Sequence, residues 1–131
     1  MPATLTFTDE TANGTKLRSF TLESLSENMS AREIIRARIY QEVQDYNQTQ
    51  PEYFHGLVTP SDAERTANGP KLKKRRPIDW EKQYEQALQA FESNGFFMLV
   101  DNRQAESLDE RFMVKVDTEV TFVKLVPLVG G

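Results

Sequence analysis

Polar and apolar residues alternate near the start of the chain in the way that marks a half-buried β-strand. The alternation covers Thr4–Thr8, and it places every second side chain on the same face of a strand. Residues 9–14 follow with turn-forming chemistry and end in an Asn-Gly pair, which readily adopts positive φ. A return strand is predicted over about 15–22, with Leu17 out of phase with its later residues. The pattern predicts an opening hairpin, and a β-bulge or a ragged start of the return strand, at no predicted position, would explain the change of phase.

The hydrophobic period changes to that of a helix after Ser30. Ser30 and Glu33 form a capping box, in which the hydroxyl serves a backbone N–H of the first turn and the carboxylate reaches back. Apolar residues then recur every three or four positions, which predicts a helix over about 31–46 with one buried face. That face consists of Ala31, Ile34, Ile35, Ile39, Val43 and Tyr46.

No periodic pattern continues between Asn47 and Pro77. Prolines interrupt this stretch repeatedly, and residues 61–65 are predicted to form at most one helical turn. A stretch of this length without regular structure is uncommon in a compact domain. We interpret it as the first part of an insertion over about 47–95.

A second helix completes the predicted insertion. Asp79 is predicted to cap its start, and Asn94-Gly95 is predicted to end it. Its apolar face is aromatic-rich, as is typical of a helix that faces a core. The face consists of Trp80, Tyr84, Ala87, Leu88 and Phe91.

The remainder of the chain has the pattern of two or three strands. Residues 96–100 form a continuous apolar run of strand length, and residues 112–116 alternate. Asp117-Thr118 is predicted to turn the chain into a last strand over about 120–124. The order of elements predicts an α+β fold.

Composition then narrows the classes of function. The 131 residues include 16 Lys and Arg against 20 Asp and Glu, a net charge of −4, and 38% are hydrophobic, which is typical of one globular domain. No apolar run approaches the roughly 20 residues that cross a bilayer, and residues 1–10 lack the pattern of a secretory signal. We therefore expect a cytoplasmic protein without a membrane partner.

The absence of cysteine and the presence of a single histidine limit catalysis by this chain. The lack of cysteine excludes disulfides, thiolate metal sites and a cysteine nucleophile. A triad or a histidine-rich metal site would have to be built around His55 alone, and we expect His55 to be an ordinary loop residue. We expect no metal site, no cofactor and no enzymatic activity in this chain.

Positive charge is concentrated in one stretch, and without that stretch the net charge of −4 becomes −9. The stretch contains Lys71, Lys73, Lys74, Arg75 and Arg76. A solvated loop and a partner-docking loop are both open interpretations. Nucleic-acid binding is less favoured, because the chain is acidic and no aromatic residue is interleaved with these cations. The acidic pairs Asp9-Glu10 and Asp109-Glu110 are predicted only to keep turns hydrated.

The C-terminal segment carries the most specific chemistry. Its last five residues are Pro127, Leu128, Val129, Gly130 and Gly131. Pro127 lacks the N–H that would extend strand pairing, and five extended residues reach roughly 16 Å. Glycines are narrow enough for an enzyme's channel and leave the terminal carbonyl open to attack. Because a carboxylate acylates only after activation, the segment has the features of a substrate presented to an adenylating enzyme.

The residues around this segment resemble a known family. Residues 117–123, followed by 127–131, look like the C-terminus of the molybdopterin-synthase and thiamine-synthesis sulfur carriers, and residues 97–103 resemble their preceding strand. The opening hairpin and capped helix fit the same β-grasp fold, which ubiquitin shares. Thr118 stands where the carriers commonly have glycine, and the insertion is longer than their connection. Bacterial ubiquitin-like modifiers with a C-terminal Gly-Gly are an equally close resemblance.

The resemblance implies one ubiquitin-like domain over 1–131, with a mixed sheet of four to five strands packed on a helix, an inserted loop and second helix, and a flexible tail over 127–131. It implies that a ubiquitin-activating-type enzyme uses ATP to adenylate Gly131. A conjugating enzyme or a sulfur-accepting synthase would then take the acyl group, so carrier and modifier both stay open. The alternative is a β-grasp binding module that is never activated and acts through protein contacts.

Overall fold

The computed structural model describes residues 3–24, 26–54, 56–60, 63–66, 69–72 and 76–125. They form an α+β structure, as predicted, with two helices and a mixed five-stranded sheet. The elements are β1 (Ala3–Thr11), β2 (Lys16–Ser24), β3 (Asn28–Ser30), α1 (Ala31–Thr49), β4 (Ala63–Thr66), β5 (Gly69–Leu72), α2 (Trp80–Glu92), β6 (Phe96–Val100), β7 (Arg103–Gln104), β8 (Arg111–Met113) and β9 (Thr118–Lys124). Among the described residues, neither helix is long and apolar enough to cross a membrane.

The chain divides into two compact units. Unit 1 contains residues 1–34 and 91–131, and unit 2 contains residues 35–90. The predicted single domain over 1–131, with its insertion over 47–95, stays a prediction.

Unit 1 is built on the five-stranded sheet, in the order β2-β1-β9-β6-β7. β9 pairs in parallel with β1, and the other neighbouring strands are antiparallel. The alternating pattern directs one face of each central strand into a core, as predicted. The buried residues of these strands include Leu5, Phe7, Phe96, Met98, Val120 and Phe122.

A β-bulge explains why Leu17 is out of phase. Asp9 pairs with Arg18, whereas Glu10 pairs with Lys16, so Leu17 is the extra residue on β2. Its side chain is 53% exposed. Gly14 lies in the turn between β1 and β2, and its φ of 88° favours glycine.

The capping box at the start of α1 is confirmed. The Glu33 N–H donates to the Ser30 hydroxyl at 3.1 Å, and the Ser30 N–H donates to the Glu33 carboxylate at 3.4 Å. The next two N–H groups, of Ala31 and Arg32, donate to backbone carbonyls of the 108–110 loop at 2.9 Å each. The helix begins where predicted and ends at Thr49 rather than at about 46.

Two predictions for irregular segments were wrong. Residues 61–65 were predicted to form at most one helical turn, but Ala63–Thr66 is strand β4 and pairs antiparallel with β5. The inserted loop therefore contains a two-stranded ladder, whose short strands are too polar to give a clear alternating signal. Thr118 was predicted as a turn residue, but it begins β9 and is 1% exposed, with its hydroxyl accepting the Lys115 N–H at 2.6 Å.

The strand predicted over 112–116 is shorter than its alternation indicates. β8 ends at Met113 and pairs with β3, and Val116 lies in a turn with 63% of its side chain exposed. At the other predicted boundaries, Asp79 caps α2 by accepting the Glu81 N–H at 3.0 Å. Asn94, rather than the following glycine, takes the left-handed backbone at the end of α2, with φ of 61°.

Candidate functional site

The segment predicted to carry the chemistry lies outside the described residues. This holds for Pro127, Leu128, Val129, Gly130 and Gly131. The last described residue is Leu125, which is 38% exposed and directly follows β9. The described structure that precedes this segment is β9 and its surroundings in unit 1.

β9 is held by backbone hydrogen bonds along both of its edges. Its parallel ladder with β1 aligns Thr118–Lys124 with Leu5–Thr11, and its antiparallel ladder with β6 aligns Lys124–Val120 with Phe96–Val100. Val120 and Phe122 point into the core and are fully buried. A strand paired on both edges and anchored by apolar side chains is a rigid support for whatever follows it in the chain.

A buried carboxylate lies near the end of β9. Asp9 is 1% exposed, and its Oδ2 lies 3.5 Å from Arg18 Nε and 3.8 Å from Lys124 Nζ. The expectation that Asp9 only hydrates a turn was wrong, because β1 continues to Thr11 and places Asp9 on its inward face. The three side chains come from β1, β2 and β9, and we call them the Asp9 cluster.

The alternation of the strands contained the signal for this cluster. Asp9 has the same parity as the buried Leu5 and Phe7, which puts its side chain on their side of the sheet. Lys124 likewise continues the inward series of Val120 and Phe122. Sequence reasoning missed the cluster because acidic residues next to an Asn-Gly turn usually face solvent.

The opposite face of the sheet carries a small apolar patch beside the end of β9. Phe97 pairs with Val123, and Leu99 pairs with Thr121. All four side chains are half-buried. The patch joins β6 to the last part of β9, on the face opposite the Asp9 cluster.

A cleft of about 500 Å³ opens in unit 1 where α2 ends and β6 begins. Phe91, Phe96 and Leu108 supply buried apolar walls. Arg32 and Asp109 lie at its polar side, with Arg32 Nη2 3.4 Å from the Asp109 carboxylate. Phe96 pairs with Lys124, so the cleft lies next to the end of β9.

The predicted docking loop is only partly described. Lys73, Lys74 and Arg75 lie outside the described residues. Lys71 belongs to β5, and its Nζ lies 3.7 Å from the Glu52 carboxylate. Arg76 is exposed and donates to the Pro77 carbonyl at 3.2 Å. His55 also lies outside the described residues.

Unit 2 carries a partly exposed aromatic cluster that was not predicted. Trp80 stands edge-on to Tyr40 with ring centroids 5.3 Å apart, and its centroid is 6.1 Å from that of Tyr84. The Arg36 guanidinium lies 5.2 Å from the centre of a Trp80 ring. Trp80 and Tyr84 are half-buried rather than core residues, and Tyr40 is 45% exposed. Because Trp, Tyr and Arg are enriched at binding hot spots, this cluster has the composition of a contact surface.

A fully buried ion pair orders the loop that follows α1. Arg38 is 0% exposed, and its Nε donates to Glu42 Oε2 at 2.9 Å. The Glu42 carboxylate also accepts the Leu57 N–H, at 3.0 Å for Oε1. The spacing of four residues was the available signal, but a helical Arg-Glu pair more often lies on the surface.

Comparisons with protein-family models, with curated proteins and with solved structures found no match to this chain. Within the described part of the chain, no group of three or more His, Cys, Asp or Glu side chains has the arrangement of a metal site.

Proposed function

We propose that this chain is a β-grasp ubiquitin-like carrier or modifier, whose Gly131 carboxylate is adenylated by a separate activating enzyme. The observation that carries the proposal is that Pro127–Gly131 follows a central strand, β9, after only two residues. The chain itself contributes the acyl group, and its partner supplies the ATP-dependent chemistry. We place this activity in the cytoplasm.

The fold supports the β-grasp part of the proposal. The N-terminal hairpin, the capped helix after it and the mixed sheet are the features that the sequence resemblance implies. The parallel pairing of β1 with β9 requires a crossover connection rather than a tight turn. Residues 12–117, which run from the end of β1 to the start of β9 and include β2, make up that connection.

The position of the Gly-Gly pair shortly after β9 supports its proposed role. β9 is paired until Lys124, and only Leu125 and Val126 separate it from Pro127. From Pro127 onward, an extended chain could place Gly131 roughly 16 Å away. Such a short segment after a firmly held strand suits delivery of a carboxylate into an active site of another protein.

The proposed chemistry begins with attack by a Gly131 carboxylate oxygen on the α-phosphorus of ATP, which releases pyrophosphate. The acyl-adenylate then reacts at its carbonyl carbon with a sulfur or nitrogen nucleophile, and AMP leaves. Sulfide gives a thiocarboxylate, whereas an enzyme thiol gives a thioester that an amine can attack. The proposal therefore includes an activating enzyme, and either a conjugating enzyme or a sulfur-accepting synthase.

The decisive test uses the full chain with adenylating enzymes from the same genome. Purified chain and enzyme are assayed for exchange of labelled pyrophosphate into ATP, and co-expressed chain is analysed by intact mass spectrometry. We expect exchange with the native chain and none after deletion of Gly131. A chain with one serine added after Gly131 is the matched control, because it keeps both glycines and displaces the carboxylate.

The mass distinguishes the two fates of the acyl group. Replacement of one oxygen by sulfur identifies a carrier, and an adduct through a lysine identifies a modifier. Full pyrophosphate exchange with the Gly131 deletion would contradict the proposal.

The aromatic cluster of unit 2 favours a second candidate, a binding module that is not activated. Tyr40, Trp80 and Arg36 present hot-spot chemistry without any need for Gly131. This candidate predicts that the Gly131 deletion retains every partner of the native chain, whereas Trp80→Ala loses them. The carrier proposal predicts the opposite for activation by the adenylating enzyme: the Gly131 deletion abolishes it, whereas Trp80→Ala has the smaller effect.

A further inference from the structure

The Asp9 cluster joins the last residue of β9 to its sheet neighbour β1 and to β2, which pairs with the other edge of β1. One carboxylate oxygen, Asp9 Oδ2, lies within ion-pair distance of cations from both other strands. Its burial is nearly complete, whereas the side chains of Arg18 and Lys124 are 38% and 27% exposed. The carboxylate of Asp9 is therefore buried, and the two cationic side chains beside it are partly exposed to solvent.

A buried carboxylate is costly unless cations and hydrogen-bond donors compensate its charge. Arg18 and Lys124 each supply part of this compensation for Asp9. Movement of Lys124 away from Asp9 weakens that compensation in a low-dielectric site. The cluster consequently favours one position of the end of β9 over frayed alternatives.

A buried ion-pair partner is an unusual restraint on the last residue of a strand. Terminal residues of strands commonly fray, because they have fewer neighbours than central residues. Lys124 is the final residue of β9, and its backbone is also aligned with Thr11 and Phe96. The ion pair with Asp9 adds a side-chain restraint to Lys124, the residue at which β9 ends.

We propose that Asp9 is a positioning residue for the C-terminal acyl donor, which it serves by holding Lys124 and so fixing the direction in which the chain leaves β9. The inference rests on the proposed function, because a fixed exit matters only if the following residues enter another protein. An anchored exit lowers the entropy that is lost when the segment binds. Asp9 touches no reacting atom and is not a catalytic residue.

The test compares local opening at the two ends of β9 in the full chain. Amide hydrogen exchange is measured by NMR in the native chain and in Asp9→Asn, which keeps the shape of the side chain and removes its charge. We expect the amides of Val123 and Lys124 to exchange roughly tenfold faster, and that of Val120 to change little. The matched control is Thr118→Val, which removes a buried polar group at the opposite end of the same strand.

Trypsin provides a second measure, because Lys124 precedes a cleavable bond. The rate of cleavage after Lys124 is compared with cleavage after Lys115, which precedes an exposed turn. We expect Asp9→Asn to raise this ratio roughly tenfold and Thr118→Val to leave it or lower it. Equal acceleration throughout β9, or no acceleration at Lys124, would overturn the proposal.

If Asp9→Asn does not fold, Lys124→Gln removes the cation at the strand end and leaves Arg18 in place. Exchange at Val123 is then the readout, with the same expected increase and the same overturning result. With the activating enzyme, Asp9→Asn should raise KM for the chain roughly tenfold with kcat unchanged, as expected for positioning. The exchange and trypsin measurements need no enzyme, so failure of Gly131 activation is distinguishable from failure of this inference.

Discussion

Unit 1 and unit 2 each bury a charged carboxylate, but they use it in different ways. In unit 1, Asp9 joins cationic side chains of two other strands in a sheet that already has continuous backbone ladders. In unit 2, Glu42 pairs with Arg38 on its own helix and accepts the backbone N–H of Leu57 in a loop. The first arrangement refines an existing sheet, whereas the second orders a segment without regular hydrogen bonding.

The difference extends to the other polar contacts of unit 2. The Asn47 side chain accepts the Ile78 N–H at 2.8 Å and donates to its carbonyl at 3.0 Å. The Gln83 side chain donates to the Val58 carbonyl at 3.0 Å. Side chains on helices therefore satisfy loop backbone groups that a ladder would satisfy in unit 1. Specific side chains determine the backbone path in unit 2.

Charge divides along the same line. Unit 1 has seven basic and twelve acidic residues, a net charge of −5, whereas unit 2 has nine basic and eight acidic residues, a net charge of +1. The acidic unit contains the proposed acyl donor, and the other unit contains the basic stretch and the aromatic cluster. In the proposed function, unit 1 delivers Gly131, and unit 2 is the candidate for partner contacts.

The largest expected effect is on the core of unit 1. Phe122→Ala removes a fully buried ring whose centroid lies 5.8 Å from that of Phe7 and 5.9 Å from that of Phe96. We expect the free energy of unfolding to fall by about 4 kcal/mol, through lost burial and the cavity that remains. Urea denaturation followed by amide signals of β1 and β9 measures the change.

The same experiment tests whether the division into units is energetic. Trp80 is the only tryptophan in the sequence, and its fluorescence reports on unit 2. Non-coincident fluorescence and amide transitions in Phe122→Ala would show that the two units unfold separately. Coincident transitions would show that the two units unfold as one, and an unchanged midpoint would contradict the assignment of Phe122 to a core.

The next largest effect is expected at the ion pair of unit 2. Glu42→Leu leaves the Arg38 charge buried and removes the acceptor of the Leu57 N–H, so we expect a loss of about 3 kcal/mol. Thermal unfolding followed by Trp80 fluorescence provides the measurement. The control is Arg38→Met combined with Glu42→Leu, which should recover part of the loss because the buried positive charge is removed together with its carboxylate partner.

A double variant as unstable as Glu42→Leu alone would contradict this account. The loss of stability would then come from the missing hydrogen bond of the Leu57 N–H rather than from the buried Arg38 charge.

The success of sequence-based prediction follows the same difference between the units. Alternation predicted the strands of unit 1 because a two-sided sheet imposes a period of two on its apolar residues. The short strand β7 was missed, because Arg103-Gln104 has no apolar member and follows a tight turn. Asp9 was missed because its burial depends on Arg18 and Lys124, which approach it only in the folded sheet.

Unit 2 offered less to predict from, since its loops are determined by individual side chains rather than by a period. Asn47 and Ile78 are 31 residues apart, a spacing with no general signature. Arg38 and Glu42 have the helical spacing of four, but that spacing does not tell a buried pair from an exposed one. The proposed site rests on the sequence instead of the structure. Gly130 and Gly131 are predicted to be the acyl donor from the sequence alone, and only the strand that precedes them has a described structure.

A smaller effect is expected at the capping box of α1. Ser30→Ala removes the acceptor of the Glu33 N–H, and we expect a loss of about 1 kcal/mol. The matched control is Thr49→Ala, which removes an exposed hydroxyl from the last residue of the same helix and should cost less. Urea denaturation of the three proteins measures the difference. Equal losses would show that the box is not what stabilises the start of α1.

The smallest effect is expected at the turn between β6 and β7. Asp101 and Asn102 have φ of 48° and 70°, which is a pair of left-handed residues of the kind that favours Asp-Gly. Asn102→Gly should raise the free energy of unfolding by about 0.5 kcal/mol, because relief of the left-handed backbone outweighs the added freedom of the unfolded chain.

Asp101→Gly is the matched control for this turn, with the opposite expected sign. It relieves a similar backbone but removes the carboxylate that accepts the Glu119 N–H at 2.9 Å. Differential scanning calorimetry should therefore place the two midpoints on opposite sides of the native value. If both substitutions stabilise the protein, the Asp101 bond contributes nothing to β9, and backbone conformation alone determines the turn. If Asn102→Gly destabilises it, the left-handed strain is already compensated within unit 1.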